Sequence, residues 1–138
     1  MRPNSWTTLI AASLTVLVAC AESDVRNTRP DRTRSADGII KLYGNRLQGD
    51  WMLKGKVVQV EAAVVTEVVA KRREIVVTGR ESLVPIPMTI RLHSSEKTIT
   101  RIVPGDLLTF KGVCRGLDGT IQFESCVILS LLKPSTLP

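Results

Sequence analysis

Residues 83–92 read LVPIPMTIRL and show the cleanest alternation of apolar and outward-type positions in the chain. Successive side chains of a β-strand point to opposite faces of the sheet, so a period of two predicts a strand with one buried face. We expect even positions to face the core and odd positions to face outward, with Val84, Ile86, Met88, Ile90 and Leu92 inside and Leu83, Pro85, Pro87, Thr89, Arg91 and His93 outside.

The two prolines of this strand, Pro85 and Pro87, remove backbone donors from the same strand edge. That edge cannot be fully paired. We expect it either to be a free edge protected against the addition of another strand, or to face a gap in the sheet. Binding of an extended partner along this edge is the alternative.

Four more strands and two helical segments are predicted around it. β-branched pairs indicate strands over residues 51–69, bent or bulged near residues 61–63, and over 73–78, 107–114 and 120–129. Apolar residues at helical spacing predict one amphipathic helix over 36–48, and a short helical turn is expected over 94–102. Trp51, between the first helix and the first strand, is expected in the core.

This order of elements is that of the OB fold, a small five-stranded Greek-key barrel. The sequence therefore predicts a mostly β protein: a five-stranded OB-fold barrel with an N-terminal amphipathic helix and a short helix between strands three and four. We place this domain at residues 36–132, followed by a tail at 133–138.

Local motifs make the sequence resemble the tRNA-anti-like OB-fold family over about residues 38–130. The motifs are Leu42-Tyr43-Gly44-Asn45, Asp50, Leu53-Lys54-Gly55-Lys56-Val57-Val58, Gly105-Asp106, Lys111-Gly112-Val113-Cys114-Arg115-Gly116, Gly119, Phe123 and Cys126. The resemblance implies a small bacterial exported protein, since many members of that family are lipoproteins. It implies no particular biochemical activity.

Residues 1–19 have the features of an export signal: a short basic start, an apolar run too short to span a bilayer, and small residues before Cys20. Leu17-Val18-Ala19-Cys20 resembles the bacterial lipobox, which implies that Cys20 is lipidated and becomes the first mature residue. Ala21, rather than Asp, after the cysteine implies an anchor on the periplasmic face of the outer membrane. A buried thiol, or an ordinary secreted protein, is the alternative.

Residues 20–35 are polar and lack apolar periodicity, which predicts a lipidated, flexible tether. The candidate contacts for a polyanion are Arg26, Arg29, Arg32 and Arg34 in this tether and Lys71, Arg72 and Arg73 in the turn between the first two strands. A solvated spacer is the alternative for the tether arginines, which could also touch anionic lipid headgroups.

The remaining cysteines, Cys114 and Cys126, form an even pair, and export would place them where disulfides persist. We predict a disulfide between them, although a simple hairpin would put Cys114 opposite Phe123, so that the bridge needs a wider loop or a bulge. Two reduced buried thiols are the alternative.

The composition argues against catalysis. The chain has 138 residues, a single histidine and a formal net charge of +6, and it contains no Gly-rich phosphate loop, HExxH or CxxC motif. Of His93, Asp106 and Glu124, none has an identifiable catalytic partner, and His93 is expected on the surface. We predict no enzyme, no cofactor and no metal.

Aromatic residues make up 4% of the chain, and none of the usual stacking type lies on the outer face of strand three, so nucleic acid is not an expected partner. The first hypothesis is a lipid-anchored accessory module that binds an unidentified envelope protein or glycan. A phage or plasmid exclusion or immunity lipoprotein and a polyanion or nucleic-acid binder are the alternatives.

Overall fold

The computed structural model describes residues 24–81 and 86–134. The predicted signal peptide, Cys20 and the three residues after it, residues 82–85 with Val84 and Pro85, and residues 135–138 therefore lie outside the described residues. The described strands and helices are β1 (Arg32–Ser35), α1 (Ala36–Leu42), α2 (Arg46–Leu53), β2 (Val57–Val69), β3 (Glu74–Thr78), β4 (Met88–Leu92), β5 (Leu107–Asp118) and β6 (Thr120–Leu132).

Five strands close into a barrel. They are hydrogen-bonded in the order β2-β3-β4-β6-β5, and β5 pairs back onto β2. The β4–β6 pair is parallel and the others are antiparallel. This is the OB-fold barrel that the sequence predicts, with β1 added as an extra strand parallel to the first part of β2.

β2 is bent where the sequence predicts a bulge. Its register with β5 shifts between Val60 and Ala63, and Ala62 has a φ of 57°. The bend lets one strand pair with β1 and β5 in its first half and with β3 in its second half, as barrel closure requires.

The alternation predicted for β4 is confirmed where the strand is described. Met88, Ile90 and Leu92 are buried, whereas Thr89 is half-buried and Arg91 is exposed. The unpaired edge is wrong for this part of the strand, because β4 pairs with β3 on one side and β6 on the other. Even Pro87 takes part in the closure, since its carbonyl accepts a hydrogen bond of 3.0 Å from the backbone N–H of Ile121.

The single predicted helix is two short helices. Ser35 caps α1 by accepting from the backbone N–H of Gly38, and Asn45 caps α2 by accepting from that of Gln48. The chain therefore restarts a helix at residue 46, and α2 continues past residue 48, where the predicted helix ends, through residues 51–53, which were predicted to begin the first strand. The helix predicted between strands three and four is a 3-10 turn, Thr98–Arg101.

Helices and loops cover opposite ends of the barrel. At one end, which we call the helical end, α2 packs against β5 and α1 against β1 and β2, and the backbone N–H of Gly55 bonds to the carbonyl of Cys114. At the other, which we call the loop end, the β2–β3 turn (residues 70–73) and the β4–β5 loop (residues 93–106) close the barrel, with Ile99 and Ile102 buried.

The barrel interior is apolar and well filled. Phe110 and Phe123 meet edge to face, with ring centroids 5.3 Å apart and an interplanar angle of 80°. Aliphatic side chains from all five barrel strands surround them. Both phenylalanines are buried, so neither ring presents a face to solvent.

Residues 24–35, predicted as part of a flexible tether, instead pack on the barrel. Val25 is buried, and the Lys111 ammonium donates hydrogen bonds to the carbonyls of Arg26 and Thr28, at 2.9 and 2.8 Å. Asp31 continues the attachment, since its backbone N–H and its carboxylate both bond to the backbone of Val57. β1 then adds a ladder along β2, so the tether prediction fails from residue 24 onward.

Among the described residues, the structure contains no helix of sufficient length and hydropathy to cross a lipid bilayer.

Candidate functional site

An open cleft of about 260 Å³ lies on the outer face of the barrel, across β3, β4 and β6. It is lined by Glu74, Thr89, Arg91, Gln122, Phe123 and Glu124. The β3–β4 surface is the one on which OB folds hold oligonucleotides and oligosaccharides. The cleft therefore occupies the position in this fold where a ligand is expected.

The polar side chains of the cleft come from the outward positions of three alternating strands. Thr89 and Arg91 flank the buried Ile90, and Gln122 and Glu124 flank the buried Phe123. Because β4 and β6 run parallel in this region, Thr89 is opposite Gln122. The closure of the barrel between these two strands is what places both pairs on one surface.

Charges in and beside the cleft are balanced locally. The guanidinium of Arg91 donates to the carboxylate of Glu74 at 2.9 Å, and that of Arg115 donates to Glu124 at 3.0 Å. The hydrogen bond from Arg91 to Glu74 raises the pKa of the guanidinium above its ordinary value. With two arginines against two glutamates, the cleft offers hydrogen-bonding groups without a strong net field.

The described cleft surface lacks an aromatic ring for stacking. Phe123 lines it, but the ring of this residue is buried against Phe110 in the interior. Single-stranded nucleic acid is held in OB folds by stacking on exposed aromatics and by a positively charged groove. The geometry of this face matches neither requirement, and it is better suited to hydrogen bonding with a polar, uncharged ligand.

A second polar cluster lies at the loop end and holds the N-terminal segment there. The Glu96 carboxylate accepts from the backbone N–H of Ile128 at 2.9 Å and from the hydroxyl and N–H of Thr98, and the Arg26 guanidinium lies 3.9 Å away. Burial raises the pKa of Glu96, but these hydrogen bonds and Arg26 outweigh it, and the net pKa is below its ordinary value.

His93 belongs to this cluster and is buried, contrary to the prediction of a surface histidine. Its Nδ1 accepts from the backbone N–H of Ser95 at 3.1 Å and lies 2.7 Å from the Ser95 hydroxyl, which also receives a bond from Arg26. Since Nδ1 accepts the backbone N–H, the serine hydroxyl is the donor to this nitrogen. These contacts fix the loop that follows β4.

The candidate polyanion contacts are divided by the structure. Arg73 donates to the backbone carbonyls of His93 and Glu96, and Arg26 is engaged by Glu96 and Ser95, so both residues hold the loop end together. Arg26 is nevertheless exposed, as are Arg29, Arg32, Arg34, Lys71 and Arg72.

The exposed basic residues lie in two separate groups. β1, with Arg32 and Arg34, pairs with the first part of β2, whereas Lys71 and Arg72 follow the end of that strand. The two groups therefore lie at opposite ends of β2 and do not form one continuous basic surface.

The predicted Cys114–Cys126 disulfide is not present: both residues are free, buried thiols. Cys114 is opposite Phe123, as the simple hairpin predicts, and its Sγ lies 3.6 Å from the Tyr43 hydroxyl. A bulge at Ser125, which has a φ of 55°, turns Cys126 inward, where its Sγ fills the space that a side chain at Gly112 would need. The two sulfurs are thus engaged by different neighbours.

Burial raises the pKa of both thiols, that of Cys126 most strongly. Burial also raises the pKa of the Tyr43 hydroxyl, which donates to Asp50 at 2.9 Å. The two thiols and the Tyr43 hydroxyl therefore remain neutral at physiological pH, and Tyr43 and Cys114 form a packed joint between α1 and β5.

Within residues 24–81 and 86–134, no group of three or more His, Cys, Asp or Glu side chains is arranged to hold a metal ion. Sequence reasoning identified Thr89 and Arg91 as outward but missed Glu74, Gln122 and Glu124 as their neighbours. The alternation of polar and buried residues in 74–78 and 120–124 carried that signal, but the pairing of β4 with β6 was needed to bring the residues together.

No protein-family model matches the sequence, and no curated protein is significantly similar to it. The resemblance to the tRNA-anti-like family therefore stays a prediction, and the case for function depends on the barrel and its surfaces.

Proposed function

We propose that this protein is a lipid-anchored bacterial envelope protein whose OB-fold domain is a non-catalytic binding module, with the cleft on β3, β4 and β6 as its ligand site. The observation that carries the proposal is the open, charge-balanced polar cleft on the face that OB folds use for ligands. The signal-like residues 1–19 and the lipobox-like sequence before Cys20 support the anchor.

The proposed ligand is an uncharged glycan of the envelope. Thr89 and Gln122 supply donors and acceptors on neighbouring strands, and the paired Arg91 and Glu74 offer more without a net charge. A ligand rich in hydroxyl groups matches such a surface, whereas a polyanion would meet the carboxylates of Glu74 and Glu124. An envelope protein is the other partner considered.

The anchor is tested by intact-mass analysis of the full chain, purified from bacterial membranes in detergent. We expect a mature chain that begins at Cys20 and carries the added mass of acyl chains. The Cys20→Ala variant is the control, and we expect it to keep its signal or to leave the membrane fraction. An unmodified chain that begins elsewhere would overturn the anchor.

The cleft is tested by NMR titration of the protein with soluble cell-wall glycan fragments, with heparin and a single-stranded oligonucleotide as comparison probes. We expect amide shifts centred on β3, β4 and the first half of β6 with the glycan alone. Gln122→Ala should weaken them, and the matched control Gln59→Ala, on the outer side of β2, should not. Shifts with heparin along β1 instead would favour the polyanion alternative, and no shift with any probe would leave an envelope protein as the partner to test.

A further inference from the structure

The most exposed large apolar side chains of the described protein lie together on α2. Leu47 is 82% exposed and Trp51 is 81% exposed, and they are four residues apart, so they share one face of the helix. The opposite face is anchored, because Gly49 and Leu53 are buried against the rest of the domain. α2 therefore presents two large apolar groups to solvent from a fixed position.

Basic residues lie at the ends of the two helices. Arg46 begins α2, Lys54 caps its C-terminal end and Lys41 is in the last turn of α1, and all three are exposed. The nearby carboxylate, Asp50, accepts from the Tyr43 hydroxyl at 2.9 Å and from the backbone N–H of Leu117 at 3.4 Å. Its other oxygen lies 4.0 Å from the guanidinium of Arg46, whose side chain is still 65% exposed. An apolar pair near cations is complementary to a surface with negatively charged groups on the outside and an apolar layer beneath them.

The size and shape of the pair argue for lipid rather than protein. Two such side chains present on the order of 300 Å² of apolar surface. A stable protein interface buries roughly 800 Å² on each partner. The pair also projects from a convex helix, and the headgroup region of a bilayer adapts to such a shape without a preformed pocket.

The attachment of the N-terminal segment brings this face within reach of a membrane. Val25 is buried and Lys111 holds the carbonyl of Arg26, so from Cys20 to the barrel the chain spans at most about 17 Å. Lys111 and Gly116 are five residues apart on β5, about 17 Å along the strand. α2 packs beside Gly116, because a Cβ added at Gly116 would lie 2.8 Å from the Asp50 carboxylate. The attachment of the anchor near the loop end and α2 at the helical end are thus about 17 Å apart along one strand, a distance no greater than the reach of the anchor.

We infer that α2 is a membrane-contact element: Leu47 and Trp51 enter the interfacial region of an anionic lipid bilayer, while Lys41, Arg46 and Lys54 contact its headgroups. This orients the barrel relative to the membrane and deepens the proposed function, because it rests on the lipid anchor to bring α2 to the surface. Tryptophan is the side chain most typical of that interfacial depth.

The test uses an unlipidated chain that begins at residue 20 with Cys20→Ser. Every described strand, helix and contact lies at residue 24 or beyond, so this chain keeps all of them. It also lacks Trp6, which leaves Trp51 as its single tryptophan and therefore as a direct fluorescent probe. The probe membranes are vesicles of equal parts phosphatidylglycerol and phosphatidylcholine, and vesicles of phosphatidylcholine alone.

With the anionic vesicles we expect the Trp51 emission to shift to shorter wavelength and to be quenched by brominated acyl chains, with binding that weakens as salt is added. Phosphatidylcholine alone should give much weaker binding. Leu47→Ser should weaken the vesicle affinity by about tenfold, because it removes most of the favourable free energy of transferring the leucine side chain from water into the bilayer. Leu132→Ser is the matched control, since Leu132 is a large exposed leucine on β6, and it should leave the affinity unchanged.

Three outcomes overturn the inference. They are an emission spectrum unaffected by vesicles together with no cosedimentation, an emission already shifted to shorter wavelength without lipid, and concentration-dependent self-association that Leu47→Ser abolishes. The second would mean that the chain's own residues cover α2, and the third would mean that a second copy does. None of them bears on lipidation of Cys20 or on glycan binding at the cleft, so failure here is distinguishable from failure of the proposed function.

Discussion

The two ends of the barrel handle their surface groups in opposite ways. At the loop end, Glu96 accepts from the backbone of Ile128, Arg26 donates to Ser95 and Arg73 donates to the carbonyl of His93. Most hydrogen-bonding groups of these three side chains are therefore used within the domain. At the helical end, α2 leaves Leu47 and Trp51 in solvent. The difference indicates that the Glu96 cluster stabilises the domain, whereas Leu47 and Trp51 are free to make contacts outside it.

Among the variants that test this comparison, Glu96→Ala should have the largest effect on stability. The change leaves the backbone N–H of Ile128 and the Thr98 groups without their buried acceptor, so we expect a loss of about 3 kcal/mol in the free energy of unfolding. Urea denaturation measures it. Glu67→Ala, at an exposed position of β2, is the control and should change stability by less than about 0.5 kcal/mol. A loss below about 1 kcal/mol for Glu96→Ala would contradict a structural role for the loop end.

Gly49→Ala tests how closely α2 is packed at the helical end. A Cβ at this position would lie 2.5 Å from the ring of Tyr43, which is buried and held by Asp50, so the ring cannot move aside freely. We expect a loss of about 2 kcal/mol through overpacking. The thermal midpoint is the readout, and Gln48→Ala on the exposed side of the same helix should leave it nearly unchanged. Equal midpoints for the two variants would mean that α2 is not packed as described.

The stability that Glu96 contributes at the loop end should depend on pH. The pKa of Glu96 in the folded protein is below its ordinary value of 4.5. The stability that this carboxylate contributes is therefore fully present above that value and is lost as the pH falls through the lower, folded-state pKa. Unfolding measured from neutral to acidic pH should show a smaller acid-induced loss for Glu96→Gln than for the unchanged protein. Identical pH profiles would show that Glu96 is not the group responsible.

The smallest expected effect is that of Trp51→Ser. Because the side chain is 81% exposed, its removal should change the free energy of unfolding by less than about 0.5 kcal/mol. Chemical denaturation followed by circular dichroism provides the measurement, since the fluorescent reporter is removed. A loss above about 1.5 kcal/mol would show that Trp51 is part of the folded core, which was the expectation from sequence.

The barrel was predictable because its signal is local and repeated. Alternation over residues 88–92 placed Met88, Ile90 and Leu92 inside, and the β-branched runs located β3, β5 and β6 to within a few residues. β2 begins at Val57 rather than at residue 51, and β1 was not predicted. The bulge of β2 was predicted near residues 61–63, where the pattern of apolar residues changes phase. These features depend on neighbours in sequence, which is the information that a single sequence holds.

The errors arose where distant parts of the chain meet. Residues 24–35 look like a polar spacer until Lys111, more than 80 residues away, supplies a buried ammonium for their carbonyls. Trp51 was expected inside because large aromatic residues usually are, but Gly49 and Leu53 occupy the buried face of α2. The cleft likewise depends on the pairing of β4 with β6, which residue spacing does not reveal.

The hold of Lys111 on the carbonyls of Arg26 and Thr28 has a consequence for the order of folding. These hydrogen bonds join residues separated by 85 and 83 positions. Contacts of such long sequence separation form late, because the intervening chain must first lose its freedom. A chain made from its N-terminus onward cannot fix residues 26–28 until residue 111 exists, so a segment that is made early is among the last to reach its native position.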